Sequence, residues 1–250
     1  MKSEWIKTRS LRSNWVTLAL AGALTIALAG AFGYGYEGAI RAGEETASRA
    51  QAVDVTYLGV DLLALILGVF GVLQVTSEYG ARTIRATLTA VPRRWRVLAG
   101  KGLLLVALLT PITLVVSVAS FLVAQAFLGD DGVSLGDAVR PVLGAAVYPV
   151  AAALIGLGIG TALRHSAAAI TVFVAVFLII PALLPATMSQ SLEDRTLRYL
   201  PLAAAQALYT QGRDDGPIHL LSPSAGAVVL ALWVTALLGV GATVLLRRDA

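Results

Sequence analysis

Six apolar runs divide the polar positions of this chain, at roughly Trp15 to Tyr34, Val55 to Thr76, Gly102 to Leu128, Pro141 to Leu163, Ala167 to Met188 and Ala225 to Leu246. Each reaches about 20 residues, the length at which a helix crosses roughly 30 Å of hydrocarbon. The runs are continuous and lack the in–out alternation of a membrane barrel, so they predict helices. The expected fold is an all-α polytopic membrane protein with six transmembrane helices. No connecting segment could hold a soluble domain of any size, so residues 1–250 read as one transmembrane domain. The first run follows a long basic stretch, Met1 to Asn14, and is itself span-length. It therefore reads as a retained helix and not as a cleaved signal.

Composition agrees with the pattern. Hydrophobic residues make up 57% of the chain and charged residues 14%, well short of the roughly 25% charge that covers a soluble surface. The absence of cysteine excludes a disulfide framework and a thiolate metal site.

The net charge is +4, which in a soluble protein would suggest a nucleic-acid partner. Here the basic residues are distributed by topology. The tail 1–14, the loop after the second run, the short loop holding Arg164 and the C-terminus carry thirteen of the nineteen Lys and Arg residues. The intervening loops carry the other six: Arg41, Arg49, Arg140, Arg195, Arg198 and Arg213. The positive-inside rule then places both termini in the cytoplasm, and no nucleic-acid partner is needed to explain the charge. Trp5, Trp15 and Trp95 fall near the expected interfaces, whereas Trp233 lies within the last run.

Two loops have internal order. In 77–101, Arg82, Arg85 and Thr89 share one face of a helix while Ala81, Ile84 and Leu88 share another. Pro92 must interrupt or restart that helix. The loop 189–224 opens with the capping pattern Ser191-x-x-Asp194 and predicts two short helices split at Pro201, Leu192 to Leu200 and Leu202 to Thr210. Gly212 to Pro217 reads as a turn.

Several strings resemble chemistry without its context. Gly33-Tyr34-Gly35-Tyr36-Glu37-Gly38 matches the dinucleotide fingerprint but follows an apolar helix, with no strand before it. Glu44-Glu45 resembles the paired glutamates of membrane proteases, yet it sits in a polar loop, and the two histidines, His165 and His219, lie in other loops on opposite sides. Ala99-Gly100-Lys101-Gly102 lacks the upstream glycine and the following Ser or Thr of a phosphate-binding loop. The chain is therefore not expected to hydrolyse ATP alone, and no catalytic or metal-binding set is read in it.

Asp61 is the one acid clearly inside a predicted span. An acid there could line a translocation path, or it could reach water, since it lies only about two turns from the outer end. Gly156-x-x-x-Gly160 predicts close helix contact, and Pro111, Pro149, Pro181 and Pro185 predict bends or ends of spans.

The ordered run Thr76-Ser77-Glu78-Tyr79-Gly80 through Thr87-Leu88 and Pro92-Arg93-Arg94 to Lys101 resembles the type-2 ATP-binding-cassette (ABC) exporter permeases of bacteria. Similar features are Ser3-Glu4-Trp5-x-Lys7 before the first span, Gly158-x-Gly160-x-x-x-x-Arg164 closing the fourth, and Leu200-Pro201-x-Ala203 in the last outer loop. The resemblance covers most of the chain. It implies a six-helix half transporter of the bacterial inner membrane. Such a permease pairs with a second one, identical or related, and with two copies of an ATP-binding subunit that holds the ATP and magnesium. It further implies that 1–14 is an interfacial segment, that the Glu78 to Leu88 region is a coupling helix docked on the ATPase, and that 189–224 forms outer re-entrant helices.

Glu78, Tyr79, Gly80, Arg82, Ile84, Arg85 and Leu88 are the expected ATPase contacts, and Arg93, Arg94, Arg96 and Lys101 the expected lipid or cytoplasmic anchors. The cargo of such an exporter would be hydrophobic or amphiphilic. Two other readings fit the same spans: an ion-coupled secondary transporter centred on Asp61, and a non-transporting membrane anchor or assembly protein.

Overall fold

A computed structural model describes residues 12–43, 48–81, 95–129, 134–184, 196–211 and 220–247. The described chain is helical, with six helices long and apolar enough to cross a membrane. They begin with α1 (Arg12–Ala42). The second crossing is α2 (Arg49–Tyr57) followed by α3 (Val60–Gly80). Then come α4 (Trp95–Leu128), α5 (Leu135–Leu163) and α6 (Ser166–Leu183). A 3-10 turn (Leu197–Tyr199) leads into the short α7 (Pro201–Tyr209), and α8 (Pro223–Arg247) is the last crossing. Each apolar run became a helix because, in hydrocarbon, a backbone can satisfy its own N–H and C=O groups only within the segment.

Several helices outrun their apolar cores, and side chains explain the extensions. α1 continues past Tyr34 to Ala42, supported by a Glu37–Arg41 pair at 2.6 Å. That pair has the acid one turn N-terminal to the base, the favourable order. The glycines of the dinucleotide-like string therefore lie inside a helix, so no phosphate loop exists there. α3 continues past Thr76 to Gly80. The Thr76 and Ser77 hydroxyls bond the carbonyls of Val72 and Leu73 one turn back, which keeps them from competing with the helix. Glu78 and Tyr79 thus belong to the last turn of a membrane helix, and Arg96 and Lys101 to the first turns of α4. Pro111 and Pro149, expected to bend or end spans, lie within continuous helices. Pro181 follows a π-helical stretch, Ala175–Ile179, the local adjustment that accommodates a missing N–H.

α5 is the most buried span and the axis of the bundle. It crosses α3 with backbones in contact, because a side chain on Gly156 would strike the Gly68 carbonyl and one on Gly160 would come within 2.9 Å of the Val72 carbonyl. The close contact predicted for Gly156-x-x-x-Gly160 is thus with α3. On another face, Gly158 and Gly241 let α8 approach α5, where a side chain on Gly158 would come within 2.6 Å of the Leu237 backbone.

The bundle has two chemically distinct ends. Gln74, Glu78, Lys101, Arg164 and Val244 meet at one, termed the Lys101 end. Asp54, Asp61, Asp137, Arg140 and α7 meet at the other, the Asp61 end.

Candidate functional site

At the Lys101 end, α3 delivers Glu78 and α4 delivers Lys101 from opposite ends of the 77–101 segment. Nζ of Lys101 donates to Oε1 of Glu78 at 2.9 Å and to the Gln74 carbonyl at 3.0 Å. The two side chains are only 3% and 9% exposed. Lys101, expected as a lipid or cytoplasmic anchor, has its ammonium buried where α3 presents both an acid and a carbonyl near its C-terminus. Cations are favoured at that end of a helix dipole.

The neighbouring Tyr79 lies under the Arg164 guanidinium, 5.4 Å from ring centre to Cζ. Arg164 also donates through one terminal nitrogen to the Val244 carbonyl of α8 at 3.1 Å. Gly80 and Arg96 are exposed, the latter stacked on the Trp95 ring. Arg82, Ile84, Arg85, Leu88, Arg93 and Arg94 lie outside the described residues. So do the tail 1–11, Pro185, Ser191, Asp194 and the turn 212–217.

At the Asp61 end, α7 is held by a polar collar. Asp61 accepts from Gln206 Nε2 at 2.9 Å and from the Tyr209 hydroxyl at 3.0 Å. The Arg140 guanidinium donates to the carbonyls of Leu208 at 3.2 Å and Thr210 at 3.1 Å, closing the C-terminus of α7. Asp54 accepts from the Gln211 amide at 2.9 Å. Beneath the collar the aromatic rings form a ladder: Tyr57 edge-on to Tyr209, Tyr209 stacked on Tyr148, Tyr148 on Phe177, and Phe177 on Phe173.

Pro201 starts α7 after an extended Leu200, as a proline and the residue before it require. The helix then packs on α8 where Gly226 leaves room for the Ala204 carbonyl. Deeper, Trp233 donates from its indole to the Tyr199 carbonyl at 2.9 Å. Trp233 is ten residues into α8 from Pro223, so Tyr199 sits about 15 Å along that helix. The segment before α7 therefore runs well down along α8, which explains a tryptophan placed inside that span. Of the two helices expected here, the second matches α7, and the described part of the first is the helical Thr196 followed by the 3-10 turn.

Asp61 is thus bonded by α7 and neither stands alone nor reaches only water. Replacing it with leucine leaves the Gln206 and Tyr209 donors without their acceptor, a loss of roughly 1–3 kcal/mol. Asp61→Leu is expected to lower the thermal midpoint in detergent, and Asp61→Asn to lower it less. An unchanged midpoint with abolished transport would assign the carboxylate to a translocation path.

Sequence reasoning missed Gln206, Tyr209, Tyr148 and Arg140. Arg140 gave the one available signal, being a basic residue in a loop on the basic-poor side. Elsewhere, two apolar grooves of about 660 and 600 Å³ open between α1 and α4.

No curated protein matches the chain. A family model described as "ABC-2 family transporter protein" matches residues 1–250. Six apolar helices and a match over the full length lead to one conclusion: the chain belongs to the ABC-2 family, as a multi-pass membrane permease component of an ABC transporter.

Proposed function

We propose that this permease is the membrane half of an ATP-driven exporter of the bacterial inner membrane, with both termini cytoplasmic. Two permeases, identical or related, pair around the pathway, and two ATPase subunits dock on the 77–101 segment at the Lys101 end. ATP and magnesium are held by those subunits and not by this chain. The alternation of loop charge supports the orientation, since it puts the Lys101 end inside.

The observation that carries the reading is the buried Glu78–Lys101 pair. An ATPase can bias the permease only through a contact that differs in free energy between its conformations. A segment that transmits such a bias needs stiff roots. The pair fastens the two roots to each other in a site where salt screens little. Glu78 and Tyr79, expected among the ATPase contacts, instead brace the coupling region through Lys101 and Arg164, while Gly80, Arg82, Ile84, Arg85 and Leu88 meet the ATPase. Arg93, Arg94 and Arg96 face lipid headgroups. The cargo is hydrophobic or amphiphilic, and the segment 189–224 closes the outer side.

Charge reversal of both Arg82 and Arg85 to Glu is expected to release the ATPase or to uncouple its hydrolysis from transport. Co-purification from native membrane and transport-stimulated ATP hydrolysis read the result. Normal binding and normal stimulation in that variant would overturn the assignment.

A further inference from the structure

Arg164 closes α5 in the left-handed region, with φ of 57°. A glycine would satisfy that backbone without a Cβ penalty, and non-glycine residues there carry a strain of order 1–2 kcal/mol. The arginine side chain must therefore have a use that offsets the strain, and its contacts show one. The guanidinium lies over the Tyr79 ring at 5.4 Å while one of its nitrogens donates to the Val244 carbonyl at 3.1 Å. A planar guanidinium can stack through its face and donate in its plane at once, whereas an ammonium cannot.

Three helices thus meet on one side chain: α5 through its backbone, α3 through Tyr79 and α8 through Val244. Tyr79 is the residue next to Glu78, at the root of the 77–101 segment. The far ends of α5 and α8 are those that hold α7. α5 does so through Arg140 and through Gly144 against Leu208, and α8 through Gly226, with Trp233 holding the Tyr199 carbonyl just before α7.

From this arrangement we infer that Arg164 is a positioning residue of the transport cycle. It ties the root of the ATPase-facing segment to α8, so that movement at Tyr79 is carried by α8 to the outer segment around α7. The inference rests on the exporter reading above, because only an ATPase-driven permease has motion to deliver at Tyr79.

The chain contains no cysteine, so spin labels can be placed cleanly at Leu73→Cys on α3 and Leu246→Cys on α8, both exposed positions outside the ATPase-facing segment. The full-length permease is measured in nanodiscs, alone and with its ATPase. With Arg164 present, a single narrow distance distribution is expected. Arg164→Gly relaxes the backbone and removes the tie. It is expected to broaden that distribution and lower transport per ATP hydrolysed by about tenfold, while the ATPase still co-purifies. Tyr79→Phe keeps the ring face and should behave as the parent, Tyr79→Leu should resemble Arg164→Gly, and Arg164→Lys should fall between.

A narrow distribution in Arg164→Gly overturns the tie. A broad one with undiminished transport per ATP overturns its role in transmission, as does equal impairment by Tyr79→Phe and Tyr79→Leu. Failure of the parent permease to bind or stimulate any ATPase would instead overturn the exporter reading and with it the transmission role, while the label distances still decide the tie.

Discussion

Gly71→Leu is expected to prevent assembly of the helix bundle. A Cβ at position 71 would strike the Ala153 carbonyl oxygen and lie 2.8 Å from its carbon. The obstacle is backbone, which cannot rotate away as a side-chain tip can. α3 and α5 would have to separate, and the same crossing seats the Gly156 face against the Gly68 carbonyl. Overpacking a core costs about 1–3 kcal/mol when side chains can shift. A clash between backbones exceeds that, against a total stability of about 5–15 kcal/mol. Packing is also the main force available here, since lipid tails offer helices no hydrophobic reason to associate. The measurement is the yield of monodisperse protein and its thermal midpoint in detergent. Gly239→Leu serves as the control, because a Cβ there meets nothing within 4 Å. Equal behaviour of the two variants would show that the α3–α5 crossing is not the seam that holds the bundle.

Lys101→Met is the second large effect. It leaves the Glu78 carboxylate buried with no cation facing it through Lys101, and it removes the donor to the Gln74 carbonyl. Breaking a buried pair from one side costs about 3–5 kcal/mol, whereas replacing both partners is often close to neutral. The double variant Glu78→Met, Lys101→Met, apolar at both positions, should therefore melt well above the single variant and near the parent. High salt should leave the parent's midpoint almost unchanged, because a buried pair is poorly screened. If the single and double variants melt together, the pair contributes nothing beyond its separate side chains. On the exporter reading, the rescued double variant should fold yet transmit less, since a neutral pair fastens the loop roots less stiffly.

The site was only partly legible in the sequence, and the pattern of misses has a common cause. Lys101 was expected as a lipid or cytoplasmic anchor because basic residues beside a span obey the positive-inside rule, and that rule does not see which face of α4 a residue occupies. Its partner Glu78 lies on another helix, beyond the reach of a local pattern. Asp61 stood out as an acid in an apolar run, but its donors Gln206 and Tyr209 are about 145 residues further along. Neither an isolated glutamine nor an isolated tyrosine carries a signal in an alanine-rich stretch. In the sequence Arg164 reads as a positive charge in a short loop and as the end of a family-like motif closing the fourth span. Its left-handed backbone and its two contacts follow from α3 and α8 both ending beside α5.

Six crossings, their helical character and the alternation of charge between loops were readable directly. Each depends only on the residues within one segment and on the thickness and polarity of the surrounding bilayer. Family membership was also within reach, through an ordered run whose residues are adjacent in the chain. The crossing of α3 over α5, the inward turn of Lys101, the collar that holds α7 at Asp61 and the Arg164 junction depend on which helix faces come together. Six apolar helices can associate in many ways with nearly equal burial of apolar surface. The choice was made by a few glycines that let backbones touch and by a few polar side chains that find partners only in that arrangement.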